Sequence, residues 1–204
     1  MDWVPVGRYN LHHPPKVLGM GYMTALYYQA LVNGQFIAEY LKKHEKAQHY
    51  RMRAQTVKKA FQVLWNQERK LYMDGIDVGE YQETPWLPNG TGTFYSQHTN
   101  TMAVLYGLAP IREEQTIMRR VMEDSSLIQA QPYFYHFIFE ALDKAGLFGC
   151  YGNRTMRRWK DLVDECAAGL KEVWAGFDCD YSHAWGASPT LQMPSKVLGV
   201  QVLE

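Results

Sequence analysis

The sequence predicts an all-α protein assembled from helical hairpins, and three observations carry that prediction. Apolar residues recur at three- and four-residue spacings through most of the 204 residues. The links between the periodic stretches are short and carry Gly or Pro. Runs of alternating polarity, the mark of a half-buried strand, are almost absent. A chain of this length fits one domain with a real core, so residues 1–204 are read as a single domain.

Residues 1–16 read as irregular, because Pro5, Pro14 and Pro15 oppose helix while Gly7 and Asn10 permit tight turns. A helix is predicted over 21–43, with Met23, Leu26, Tyr27, Ala30, Leu31, Ile37, Ala38 and Leu41 as its apolar stripe. A second runs over 46–65 on Tyr50, Ala54, Val57, Ala60, Phe61 and Leu64, and the short link near His44 makes the two an αα-hairpin. Residues 67–96 read as a long loop with a small β-hairpin near 72–78. Tyr81, Trp86 and Tyr95 argue that this loop is ordered, and Trp86 is read as a pin rather than a ligand contact.

Shorter helices follow. One spans 99–106 and ends at Gly107, a natural residue just past a helix end. The next, 111–123, opens with acids that suit the positive end of the helix dipole. Another is predicted over 132–145, with Pro132 in the favoured first position and Gly146 after it. A further helix covers 154–168 up to Gly169, and a last one starts at Ser188-Pro189. His98, Tyr133 and His136 fall at helix starts or within helices, where core packing is the expectation.

Charge and composition narrow the function. Lys plus Arg and Asp plus Glu both number 21, so no basic field points to nucleic acid or an anionic membrane surface. No apolar run reaches the ~18 residues of a membrane span. Cys150, Cys166 and Cys179 are odd in number and lack C-x-x-C spacing, so neither a disulfide framework nor a zinc site is indicated. No metal and no cofactor is expected. Six Trp and fourteen Tyr are a high share, and amphipathic rings suit the C–H faces and hydroxyl edges of sugars.

Residues 159–191 most resemble a working site. Four acids (Asp161, Asp164, Glu165, Glu172), then Asp178 and Asp180, precede His183, which stands between Trp174 and Trp185. Carboxylates, an imidazole and indoles gathered on a glycine-punctuated loop suit function better than core filling. Asp178 and Asp180 alone supply too few oxygens for a metal and read as turn formers. His12-His13 is an adjacent pair of poor geometry for one metal and reads as loop surface.

The run QPYFYHFIFEALDKAGL (131–147), then GLKEVW (169–174) and SHAWGASPT (182–190), resembles the catalytic domain of bacterial α-L-rhamnosidases. DWVPVG (2–7) and SQHTNTMAVLYGLAP (96–110) are similar to the middle region of that family. The resemblance implies an (α/α)6 six-hairpin toroid, an inverting hydrolysis and a carbohydrate substrate containing rhamnose. It implies that Glu172 is the general base, that His183 contacts the sugar and that Trp3 lines the site, while Trp174 and Trp185 are read as the stacking wall that binds the substrate. The family's segment bearing the general acid lies upstream of the DWVPVG region, so the acid is expected outside these residues. The chain is then the C-terminal part of an incomplete toroid, inactive alone and prone to self-association through uncovered apolar faces. The compartment stays open between the cytoplasm of a bacterium and its periplasm or exterior. The alternatives are a non-catalytic carbohydrate-binding or scaffold domain and a six-hairpin glycosidase for another sugar. A uronate lyase ranks lower, because the tail offers only Lys171 and Lys196 to neutralise a carboxylate.

Overall fold

A computed structural model describes residues 4–6, 9–11, 20–76, 93–165, 170–174 and 183–200. Its elements in order are β1 (Val4–Val6), β2 (Tyr9–Leu11), α1 (Gly21–Tyr40), α2 (His44–Phe61), β3 (Trp65–Asn66) and β4 (Leu71–Tyr72). There follow α3 (Gln97–Leu105), α4 (Ile111–Glu123), α5 (Tyr135–Lys144), α6 (Phe148–Met156), α7 (Arg158–Glu165) and α8 (Pro189–Gln192). The fold is mostly helical. Its strands form two small antiparallel pairs, β1 with β2 and β3 with β4.

α1 and α2 form the predicted hairpin, joined through Leu41–Lys43 with Lys42 at φ +56°. The buried face of α1 differs from the predicted stripe. Gly21, Tyr22, Ala25, Leu31 and Ala38 point inward, whereas Met23, Tyr27, Ile37 and Leu41 are exposed. The helix is apolar around most of its circumference, so spacing alone does not choose a face. α2 is polar and leaves no such choice. Ala47, Ala54 and Phe61, seven apart, make a narrow inner seam.

α3 is the central column, for it packs on α1, α4 and α5 and Gln97–Val104 are all buried. A helix without a wet face must pair its polar side chains internally. Ser96 Oγ caps it by accepting from Thr99 N (3.1 Å). Gln97 Nε2 donates to Val121 O (2.6 Å) while its Oε1 accepts from Ala130 N (2.8 Å). Asn100 bonds both backbone groups of Tyr72, accepting at 2.8 Å and donating at 3.0 Å, which ties β4 to the helix. Asp74 Oδ1 accepts from Ser96 Oγ (2.5 Å) and Thr99 Oγ1 (2.6 Å). Burial pushes the Asp74 carboxyl above the usual range, outweighing those two bonds.

α4 matches its predicted bounds. Ile117, Met118 and Val121 face the core, and the partly sheltered Lys144 pairs with Glu114 at 2.9 Å. Tyr135, Phe139, Phe148 and Trp159 build an aromatic layer between α5, α6 and α7.

Several boundaries differ from expectation. The hairpin predicted near 72–78 sits earlier, at 65–72; residues 77–92, with Tyr81 and Trp86, lie outside the described residues. α5 starts at Tyr135, leaving Pro132–Phe134 as a turn. The single helix expected over 154–168 is two helices that reset at Arg157, where Lys160 N bonds Arg157 O (3.0 Å) and turns Trp159 and Leu162 inward. α8 begins at Pro189 as expected and runs on into one wider π-type turn, Met193–Val197, though the Ser188 side chain makes no cap.

Candidate functional site

Two segments meet beside the aromatic layer. Along Leu170–Trp174 the chain alternates, with Lys171 and Val173 buried and Leu170, Glu172 and Trp174 half-buried. Glu172 is thus more open than the residues on either side of it. The second segment runs from His183 through a short 3-10 turn, Ala184–Ala187. His183 N donates to Leu170 O (2.7 Å), and Trp159 Nε1 donates to Gly186 O (2.5 Å). A β-carbon at Gly186 would lie 2.8 Å from Lys171 O, so only glycine lets the segments close this tightly. Gly186→Ala is expected to cost about 1–3 kcal/mol through that clash and to weaken binding of any ligand held by both segments. A urea midpoint equal to wild type would show that the segments are not in contact in solution.

The closure brings Glu172 and His183 together, with Oε2 3.9 Å from Nε2. At that separation they form an ion pair when the imidazole is protonated, not a hydrogen bond. Their side chains are 16% and 27% exposed, so water screens the pair less than a surface one. His183 Nδ1 is buried without a hydrogen-bond partner among the described residues. Trp185, 54% exposed, stands edge-on to His183 with ring centroids 5.3 Å apart. Trp185 also meets Tyr133, tilted by 35° at 4.8 Å, which itself meets Phe137. Tyr133, Trp185 and His183 thus form one aromatic row leading to Glu172.

Trp174 belongs to a different stack. Its ring meets Trp159 (4.7 Å) and Tyr135 (5.4 Å), the Arg158 guanidinium covers it at 3.9 Å, and its indole N–H donates to Ala130 O (2.8 Å). Its backbone N–H donates to Gln131 Oε1 (2.9 Å), which anchors the segment that carries Glu172. Trp174 makes no ring contact with His183 or Trp185 among the described residues. Trp3, Asp178, Asp180, His12, His13, Cys166 and Cys179 lie outside the described residues. Cys150 is an exposed free thiol on α6. Among the described residues no three His, Cys, Asp or Glu side chains gather as a metal site would require.

Tyr133 is the residue that spacing does not reveal. Helix 132–145, had it started at Pro132, would have placed Tyr133 within its first turn; the turn before α5 instead leaves it half-buried against Trp185. Its only sequence signal is the density of rings in PYFYHF. His98, by contrast, is buried against Phe134 with centroids 4.3 Å apart, in line with core packing. A carboxylate acceptor, an imidazole and an open apolar wall together suit a neutral polyhydroxylated ring, whose hydroxyls and C–H faces need both kinds of partner.

A sequence profile described as the bacterial alpha-L-rhamnosidase 6 hairpin glycosidase domain matches residues 1–197. Among solved structures, the chain is similar to a rhamnosidase from Klebsiella oxytoca with rhamnose bound, at a TM-score of 0.70 and 19% sequence identity. That superposition covers 98% of this chain and 36% of the other. At this identity the likeness establishes a shared fold, of which this chain spans about a third of the solved chain's length. No match is found among curated proteins.

Proposed function

The chain belongs to the bacterial α-L-rhamnosidase six-hairpin glycosidase family, and from that premise we propose that it forms one wall of a site that removes α-L-rhamnosyl residues from glycosides with inversion. The observation that carries the reading is the single surface on which Glu172, His183, Trp185 and Tyr133 converge. Trp185 and Tyr133 cover the C–H face of the sugar, and His183 donates to a ring hydroxyl. Glu172, as general base, takes a proton from the water that attacks the anomeric carbon. The bond to the leaving oxygen breaks as a carboxylic acid, assigned to the protein beyond these residues, protonates it. An inverting pair needs roughly 6.5–9.5 Å between carboxyls to admit that water. The base must be ionised while the acid keeps its proton, so their surroundings must differ.

The 3.9 Å contact favours a second role for the same carboxylate, namely orienting the imidazole of His183. In that reading the base lies elsewhere and Glu172 acts through His183.

The test is hydrolysis of an aryl α-L-rhamnoside by the full-length protein, with the released anomer followed by proton NMR. The expected first product is β-L-rhamnose. Release of the α-anomer first would overturn inversion. Turnover of another aryl glycoside with none of the rhamnoside would overturn the sugar assignment.

A further inference from the structure

A cavity of about 250 Å³ lies at the α6–α7 junction. Its charged lining is Arg154 and Arg158, joined by Thr155, Gln97, Gln129 and Tyr135. No carboxylate lines it, and neither guanidinium makes an ion pair among the described residues. Two like charges directed to one small space repel each other unless an anion sits between them.

Both cations are held by aromatic rings instead. Arg158 lies 3.9 Å over Trp174 and 5.3 Å over Tyr135, and its Nη1 donates to Tyr135 Oη at 2.6 Å. Arg154 lies 5.5 Å over Tyr151. Stacking fixes a guanidinium plane while leaving most of its N–H donors at the rim free, which is the arrangement for gripping an oxyanion by a fork. Thr155, 6% exposed, also lines the cavity and brings a hydroxyl group to it. Gln97 is already satisfied at both ends, so it closes the floor without competing for a ligand.

We infer that this cavity binds a small oxyanion, a phosphate, sulfate or carboxylate group, between the guanidiniums of Arg154 and Arg158 with the Thr155 hydroxyl as a further donor. Because Arg158 rests on Trp174, an anion there also stiffens the segment that carries Glu172. The site stands on its own geometry and does not depend on the hydrolase reading.

The chain is titrated with sodium phosphate, sodium sulfate and sodium glucuronate, each against sodium chloride at matched ionic strength, while indole fluorescence and the thermal midpoint are followed. A saturable change with at least one oxyanion and none with chloride is expected. Response to phosphate and sulfate alone identifies a tetrahedral group; response to glucuronate as well identifies the carboxylate of an acidic sugar. Arg154→Gln, whose guanidinium lies over the Tyr151 ring, is expected to weaken binding at least tenfold, as is Arg158→Lys. A response no larger than that of chloride would overturn the site, and so would unchanged affinity in Arg154→Gln, which decides the matter if Arg158→Lys fails to fold.

Discussion

Glutamine at position 172 is expected to lower hydrolysis of an aryl α-L-rhamnoside by the full-length protein about 10²–10⁴-fold, the range a positioned general base supplies. In barrier height that is roughly 3–5 kcal/mol. Glutamine keeps the shape of the side chain and its acceptor oxygen but cannot take a proton. Folding is expected to be little affected, since among the described residues the carboxylate's ion-pair partner is the His183 imidazole at 3.9 Å. Loss of a base falls on kcat and leaves KM nearly unchanged, and it removes the acidic limb of the kcat/KM profile. The orienting role predicts something different. Glutamine keeps the side chain beside His183, so activity falls only several-fold, and His183→Ala and Glu172→Ala show equal, non-additive losses. Wild-type turnover in Glu172→Gln with an unchanged pH profile would remove the residue from both roles.

How much of this was legible in the sequence depends on whether a feature is local or tertiary. α4 was readable at both ends because Pro110 precedes it, acids open it, and Ile117, Met118 and Val121 make one stripe. Gly107 and Gly146 both adopt φ +68° at the helix ends assigned to them. The α1 stripe was misjudged because Met23 and Tyr27 are as apolar as the residues that face inward, and only the packing of α3 decides between them. The break at Arg157 has no Pro or Gly to announce it; burial of Trp159 imposes it from outside the helix. The site shows the same division. Glu172, His183 and Trp185 stood out by residue type, and the structure brings them together. Trp174 stood out equally, yet it is drawn into the stack of Trp159, Tyr135 and Arg158. Tyr133 and the Arg154–Arg158 pair stayed hidden because each depends on a contact between segments remote in sequence.

Removing the Asp74 side chain is expected to destabilise the protein by about 3–5 kcal/mol, the range for breaking a buried polar network. The carboxyl is 1% exposed, and Asp74→Ala would strand the hydroxyls of Ser96 and Thr99, both fully buried. The backbone of the same residue is also engaged, for Asp74 O accepts from Gly21 N (2.8 Å) and Asp74 N donates to Phe94 O (2.9 Å). The residue therefore joins the start of α1 to the segment that enters α3. With m near 2 kcal/mol/M in urea, the midpoint should fall by roughly 1.5–2.5 M. Asp74→Asn separates hydrogen bonding from charge. The amide oxygen still accepts from both hydroxyls, so most of the stability should return. The pH dependence should differ as well. Burial raises the native carboxyl above its unfolded value, so the native state holds its proton to higher pH. Its contribution is present in full below the ordinary carboxylate range near 4 and is lost as pH rises from there through the raised native value. Oδ2, which lacks a hydrogen-bond partner among the described residues, is where that proton resides at least cost. Across this window the wild-type urea midpoint should decline with rising pH relative to that of Asp74→Asn. Parallel midpoints for the two proteins would mean that Asp74 ionises in the fold as it does in water, and that charge plays no part in how α3 is held.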